Sequence, residues 1–355
     1  MIGGGQNAYL ATRAALMATR LLSAADLESL TQRSIEDNRS LFAERGLAEL
    51  AAADAEGARH PLEQRLITVL IDDFVILSRA LAGRERDFII YWIHRAELAN
   101  LKAILRAKMA NEPSESIRDK LVEMGPFAGL PIDDLLRTED VAELLSRLER
   151  SAYPDIARQA RHVFEEQHDL FALDVTIDQR YYTGLVRRAA AIEAGQGGDF
   201  KALMASVVDH LNLVWLLRYR FSYQLAPSQV WYLLIKTRYR LSSELLQRLV
   251  QLNRFEDVAP ALPPPFDAWL ANARDPDDVA RILDETTAAL ARKTLHLARS
   301  PLARAFAYLL LRERDLRDIL VVLKGEQLGI DRQTVRAALG MSASAAPSVA
   351  GAGAS

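Results

Sequence analysis

Apolar residues recur at intervals of three and four over most of the chain, as in Leu135, Leu136, Val141, Leu144, Leu145 and Leu148, while strict alternation is scarce. That spacing lines one face of an α-helix. The dominant residues, Ala, Leu, Arg and Glu, are strong helix formers. Breakers gather at 125–131, 195–198, 260–265 and 275–278 and mark the connections. Residues 342–355 are Ala/Ser/Gly-rich, the composition of a disordered tail. The pattern predicts an all-α protein.

Within this pattern one helix recurs three times. Segments 88–108, 200–220 and 306–326 align without gaps. Each opens on a phenylalanine (Phe88, Phe200, Phe306) and reaches an acid nine residues later (Glu97, Asp209, Asp315). Three residues beyond the acid stands Asn100, Asn212 or Asp318, then apolar positions, and nine beyond the acid a base, Arg106, Arg218 or Lys324. The acids lie 112 and 106 residues apart, so each unit fills about a third of the chain.

A second element repeats with it. Leu130-Pro131-Ile132-Asp133-Asp134-Leu135 opens a helix after the first motif, and Leu241-Ser242-Ser243-Glu244-Leu245 does so after the second, one residue shorter. After the third motif the chain runs into its low-complexity tail. The missing copy stands at the other end, as Leu22-Ser23-Ala24-Ala25-Asp26-Leu27. The N-terminal helices are therefore expected to complete the third unit, with 11–56 packed against 278–340 in a closed arrangement. The resulting division is 7–60 plus 277–340, 61–170, 171–276, and a tail at 341–355.

At about 100° per residue, the acid and the positions four, seven and eleven beyond it fall within roughly 60° of one another. The acid thus sits on or beside the apolar stripe and needs a partner, which a neighbouring helix or repeat is expected to supply. The base nine residues on lies on the opposite side and cannot pair with it. It faces solvent, a central opening or another subunit.

Composition narrows the function. A net charge of −3 gives no reason to expect nucleic acid, and the absence of cysteine rules out disulfides and thiolate metal sites. Residues 1–6 have no apolar core of a signal peptide. No run reaches the roughly 18 uninterrupted apolar residues of a membrane helix, so no direct membrane span is expected. Gly3-Gly4-Gly5 and 195–198 lack the Lys-Ser/Thr of a phosphate loop. Glu165 and His168 match half of a di-iron carboxylate pattern whose other half is missing, which leaves a solvated helix face. No catalytic residue, cofactor or metal is expected.

The repeated segments resemble the C subunit of archaeal and bacterial A/V-type rotary ATPases, the counterpart of the eukaryotic V-ATPase d subunit. The likeness rests on Glu97, Asn100-Leu101, Arg106 and Lys108; on Asp315, Asp318-Ile319 and Lys324-Gly325 through Gly329-Ile330; and on Tyr9 through Arg13 with Leu21-Leu22-Ser23. It covers about residues 7–340. The second copy departs from it at Trp215, Tyr219 and Arg220, and the third at Asp318 and Glu326. The resemblance implies a funnel-like body of three pseudo-repeated helical units. It implies a non-catalytic central-stalk subunit, peripheral on the cytoplasmic side of the membrane, that couples the rotor shaft to the proteolipid ring in H+ or Na+ transport. With it, Arg106, Lys108, Arg218, Arg220 and Lys324 become candidate shaft-binding residues, and Glu97, Asn100, Asp209, Asn212, Asp315 and Asp318 the structural motif. The rival reading is a generic α-helical repeat scaffold, although a period near 110 exceeds the usual helix-pair repeats.

Overall fold

A computed structural model describes residues 2–51, 62–118 and 120–341 of the protein. It is 75% helical, and no strand occurs among the described residues. Of the tail expected at 341–355, all but Met341 lies outside the described residues.

Three pairs of long helices carry the fold. Leu62–Ser78 precedes Gly83–Met109, Leu170–Ala190 precedes Glu193–Leu217, and Pro276–Leu297 precedes Pro301–Gln327. The second helix of each pair holds one copy of the repeat and is here termed a motif helix; the first is its lead helix. The breakers read from the sequence act where they stand. Asp275 accepts hydrogen bonds from the amides of Asp277 and Asp278 with Pro276 in the first turn, so the lead helix starts there. Gly197, at φ 75°, interrupts the start of the second motif helix in a conformation that only glycine adopts freely.

The chain divides into two compact units, 1–18 with 67–311 and 19–66 with 312–355. In the first, one apolar cluster surrounds the first motif helix through Leu101, Leu105, Leu144 and Leu148, and another surrounds the second through Leu213, Leu217, Leu246 and Leu283. The three repeat phenylalanines meet. Phe88 lies 5.2 Å from both Phe200 and Phe306, which are 6.0 Å apart, and Trp92 packs edge-on against Phe306. All three rings are fully buried. Such contacts add about 0.5–1.5 kcal/mol each beyond the area they bury.

The second unit is organised by charge as well as by packing. Arg312 is completely buried and donates to the carbonyls of Arg20 and Arg45. Arg45 reaches the Thr19 carbonyl and pairs with Asp26 at 2.8 Å, and Asp26 closes a capping box with Ser23 at the start of helix Ala24–Gln32. Arg336, on helix Arg332–Ala338, binds Glu28 and Thr31. Gly325 permits the close approach of Val335, whose methyl lies 2.5 Å from where a Cβ would stand.

The second motif helix and its π-helical continuation Arg218–Ser222 form the one described segment, 193–222, long and apolar enough to cross a membrane by length and composition. Its apolar side chains lie in the protein's own core: Phe200, Leu203, Met204, Leu213, Leu216 and Leu217 are fully buried.

Candidate interaction site

The motif acids are buried, and their partners are backbone amides. Glu97 accepts from the N–H groups of Gly129 and Leu130 at 2.6 and 2.7 Å, and from the Tyr153 hydroxyl. Asp209 accepts from Arg240 and Leu241, both at 3.2 Å. Asp315 accepts from Leu22 at 2.8 Å. In each copy the acid therefore holds the leucine that opens the second repeated element, and the third copy takes that element from the N-terminal segment. A carboxylate accepting backbone N–H groups is a strong, charge-assisted contact. Burial nevertheless pushes the Asp209 carboxyl up to about 7, against the lowering effect of the Leu241 and Arg240 amides. Burial and the Glu97 charge together push the Tyr153 hydroxyl up.

Three residues on, the asparagines clamp the chain between motif helix and leucine. Asn100 donates to the Val122 carbonyl at 2.7 Å and accepts from the Val122 amide at 2.8 Å. Asn212 does the same at Ile235, at 2.9 and 2.8 Å. A carboxylate cannot repeat this exchange, because it has no N–H to donate. Asp318, in the third copy, instead faces Arg314 at 3.7 Å.

The bases separate into two groups. Lys108 and Arg220, eleven residues beyond the acids, return to the acid's side of the helix and cap carbonyl groups. Lys108 donates to Leu136 and Thr138, and Arg220 to Leu225, Val250 and Leu252. The carbonyls of Leu136 and Val250 close the short helices Ile132–Leu136 and Ser243–Leu249, where a cation also meets the negative end of the helix.

Arg106, Arg218 and Lys324 point outward. Their side chains are 53%, 48% and 47% exposed, and each meets one acid: Asp174, Asp277 and Glu63, respectively. Those acids lie on the lead helices of the second, third and first pairs. Every base is thus tied to the pair that follows it, with the third tied to the first. The Lys324 ammonium holds the Glu63 carboxyl below its usual range. Such exposed pairs contribute roughly 0–1 kcal/mol and are screened by salt. The repeat motif does not single out these three acids. Their signal is position, since each falls in the first five residues of a long helix.

The half di-iron pattern finds ordinary uses. Glu165 lies 3.6 Å from Arg161, and His168 ends helix Pro154–Gln167 at φ 51°. No group of three metal-ligating side chains occurs among the described residues.

The family model described as ATP synthase (C/AC39) subunit matches residues 10–338. Among curated relatives, the A-type ATP synthase C subunit of Methanosarcina barkeri is 22% identical over 92% of this chain and 91% of its own length. That of Halobacterium salinarum is 20% identical over 82% of this chain and 85% of its own. That of Methanothermobacter thermautotrophicus is 26% identical over 59% of this chain, a match that spans only 54% of the relative, and the match to the Methanosphaera stadtmanae protein spans 41% of it. The match at 10–338 takes in all three motif helices and the N-terminal copy of the second element. The chain belongs to the ATP synthase (C/AC39) subunit family.

Proposed function

We propose that this protein is the non-catalytic central-stalk subunit of a V/A-type ATPase or ATP synthase. It seats the rotor shaft on the membrane proteolipid ring and passes torque between ATP chemistry and H+ or Na+ movement. It works on the cytoplasmic side of the membrane as a peripheral part of the complex, with shaft subunits and ring as partners. Its body is a closed, funnel-like set of three helical units, 7–60 plus 277–340, 61–170 and 171–276.

The observation that carries this reading is the reuse of one interaction scheme in a chain of this family. Each motif helix buries an acid against the second element and presents one half-exposed base outward. The ion pairs of Arg106, Arg218 and Lys324 are weak enough for a partner's carboxylates or helix C-terminus to compete for the bases. Lys108 and Arg220 support the same face indirectly, by fixing the short helices behind it.

The test is a pull-down with purified shaft subunits across a salt series. Arg106→Glu with Arg218→Glu should leave the subunit folded, weaken shaft binding, and uncouple ATP hydrolysis from ion pumping in the assembled complex. If the folded double variant binds as tightly as wild type at low salt, the shaft is held elsewhere. The isolated subunit should hydrolyse no ATP.

A further inference from the structure

Between the start of helix Pro154–Gln167 and the C-terminal half of the lead helix Leu170–Ala190 lies a cleft of about 510 Å3, with Tyr91 and Tyr153 in its wall. Arg158, Arg180, Arg187 and Arg188 line it, with Asp155 the one carboxylate in its wall. Arg158 and Arg187 both turn to that carboxylate, Arg187 at 3.9 Å, and remain 61% and 73% exposed. Arg188 lies over the Tyr91 ring at 3.7 Å and donates to the Gly184 carbonyl, while Arg180 donates to the Gln159 side chain at 2.6 Å. These last contacts orient two guanidinium groups without neutralising them. Among the described residues, no carboxylate comes within ion-pair distance of either. Four cations facing one anion leave three positive charges in excess in a concave space. The folded chain gains nothing from that repulsion by itself.

We infer that this cleft binds a multivalent phosphate anion, of the kind carried by pyrophosphate, a nucleotide or a phosphomonoester lipid headgroup. The guanidinium fork matches phosphate oxygens two at a time, which a diffuse surface charge does not require. The cavity has the size of a small-molecule site rather than of a protein interface. Arg188 and Arg180 are the pre-set half of the site. Arg158 and Arg187 are the mobile half, which exchange their shared carboxylate for the ligand. The site is separate from the outward bases of the motif helices and does not depend on the stalk assignment.

Calorimetric titration of the full chain with sodium pyrophosphate tests this directly. Saturable binding should weaken steeply with salt. Arg158→Gln with Arg187→Gln should weaken it at least tenfold, and Arg137→Gln with Arg254→Gln, equally exposed arginines elsewhere, by less than twofold. If the first pair lowers the melting temperature, Arg180→Gln alone serves as the second variant, with a loss of at least threefold. Flotation with phosphatidic acid or phosphatidylcholine vesicles separates the sources. Retention on the anionic vesicles that pyrophosphate displaces assigns a lipid headgroup, and pyrophosphate binding without retention assigns a soluble ligand. No saturable binding in either arm, or equal losses in the control pair, would overturn the site. Equal variant-sensitive binding of an oligoglutamate peptide would overturn the phosphate assignment.

Discussion

Asn212 and Ile235 exchange two hydrogen bonds, side-chain amide to backbone peptide, at 2.9 and 2.8 Å. The same exchange joins Asn100 to Val122. Truncating either asparagine strands a backbone donor and acceptor, buried at Ile235 and part-buried at Val122. Asn212→Ala and Asn100→Ala should each cost about 2–3 kcal/mol. Asn212→Asp should be no milder, since the carboxylate loses the donor and faces the Ile235 carbonyl. Urea denaturation of the isolated protein reads these losses, and a cost below about 0.5 kcal/mol would show the clamps to be slack.

Glu97→Ala leaves two amides and the Tyr153 hydroxyl without their acceptor. It should destabilise the protein by about 1–3 kcal/mol. Tyr153→Phe, which removes only the hydroxyl donor, should cost less. An unchanged melting temperature in Glu97→Ala would mean that the loop at 129–130 re-forms its contacts elsewhere.

Asp209 gives the fold a pH dependence of unusual sign for an acid. In the unfolded chain it loses its proton near 3.8; in the folded chain it holds it to about 7. Between those values the native state binds the extra proton, so this contribution to stability falls as pH rises and is fully lost above about 7. The slope within the window approaches 1.4 kcal/mol per pH unit. Asp209→Asn keeps an acceptor for the Leu241 amide and removes the titration. Melting temperatures from pH 5 to pH 8 should fall less in the variant than in wild type, and the variant should be the more stable at pH 8. Parallel curves would refute the assignment.

Gly184 admits the Tyr91 hydroxyl into the space that a Cβ would fill, against the first motif helix. Gly184→Ala should therefore destabilise by about 1–3 kcal/mol through overpacking. Tyr91→Phe in the same chain should recover part of that loss, because the nearest remaining ring atom is 3.1 Å away. Equal stability of the single and double variants would place the strain elsewhere.

The helical class, the three motif helices and the second repeated element are all legible from spacing, because helix periodicity and fixed offsets survive when residue identities drift. The N-terminal copy of the second element is legible for the same reason, and its Leu22 does meet Asp315. The partners of the acids are less so. A buried carboxylate suggests a basic side chain, yet the donors are peptide N–H groups, which every residue but proline carries and which no pattern of letters reveals. Lys108 and Arg220 look like companions of the outward bases. Their offset of eleven from the acid is three full turns, which is the available sign that they lie on the acid's side. Asp174, Asp277 and Glu63 escape because nothing in the motif points to a separate helix, and Tyr153 because it has no counterpart in the other copies.

The hydrogen bond between Leu22 and Asp315 also sets an order of events during synthesis. The segment that opens helix Ala24–Gln32 leaves the ribosome 293 residues before the carboxylate that will hold it. At about 5–20 residues per second, that is a wait of roughly 15–60 seconds. The first and second copies of the scheme, with acid and amide only some 30 residues apart, can close in turn while translation continues. The earliest part of the chain is thus the last to be fastened. A circular permutant that begins at Asp275 and joins the natural ends through a flexible linker would bring Asp315 and Leu22 close together in the order of synthesis without parting the other two acids from their amides, and its refolding should be faster than that of the natural order.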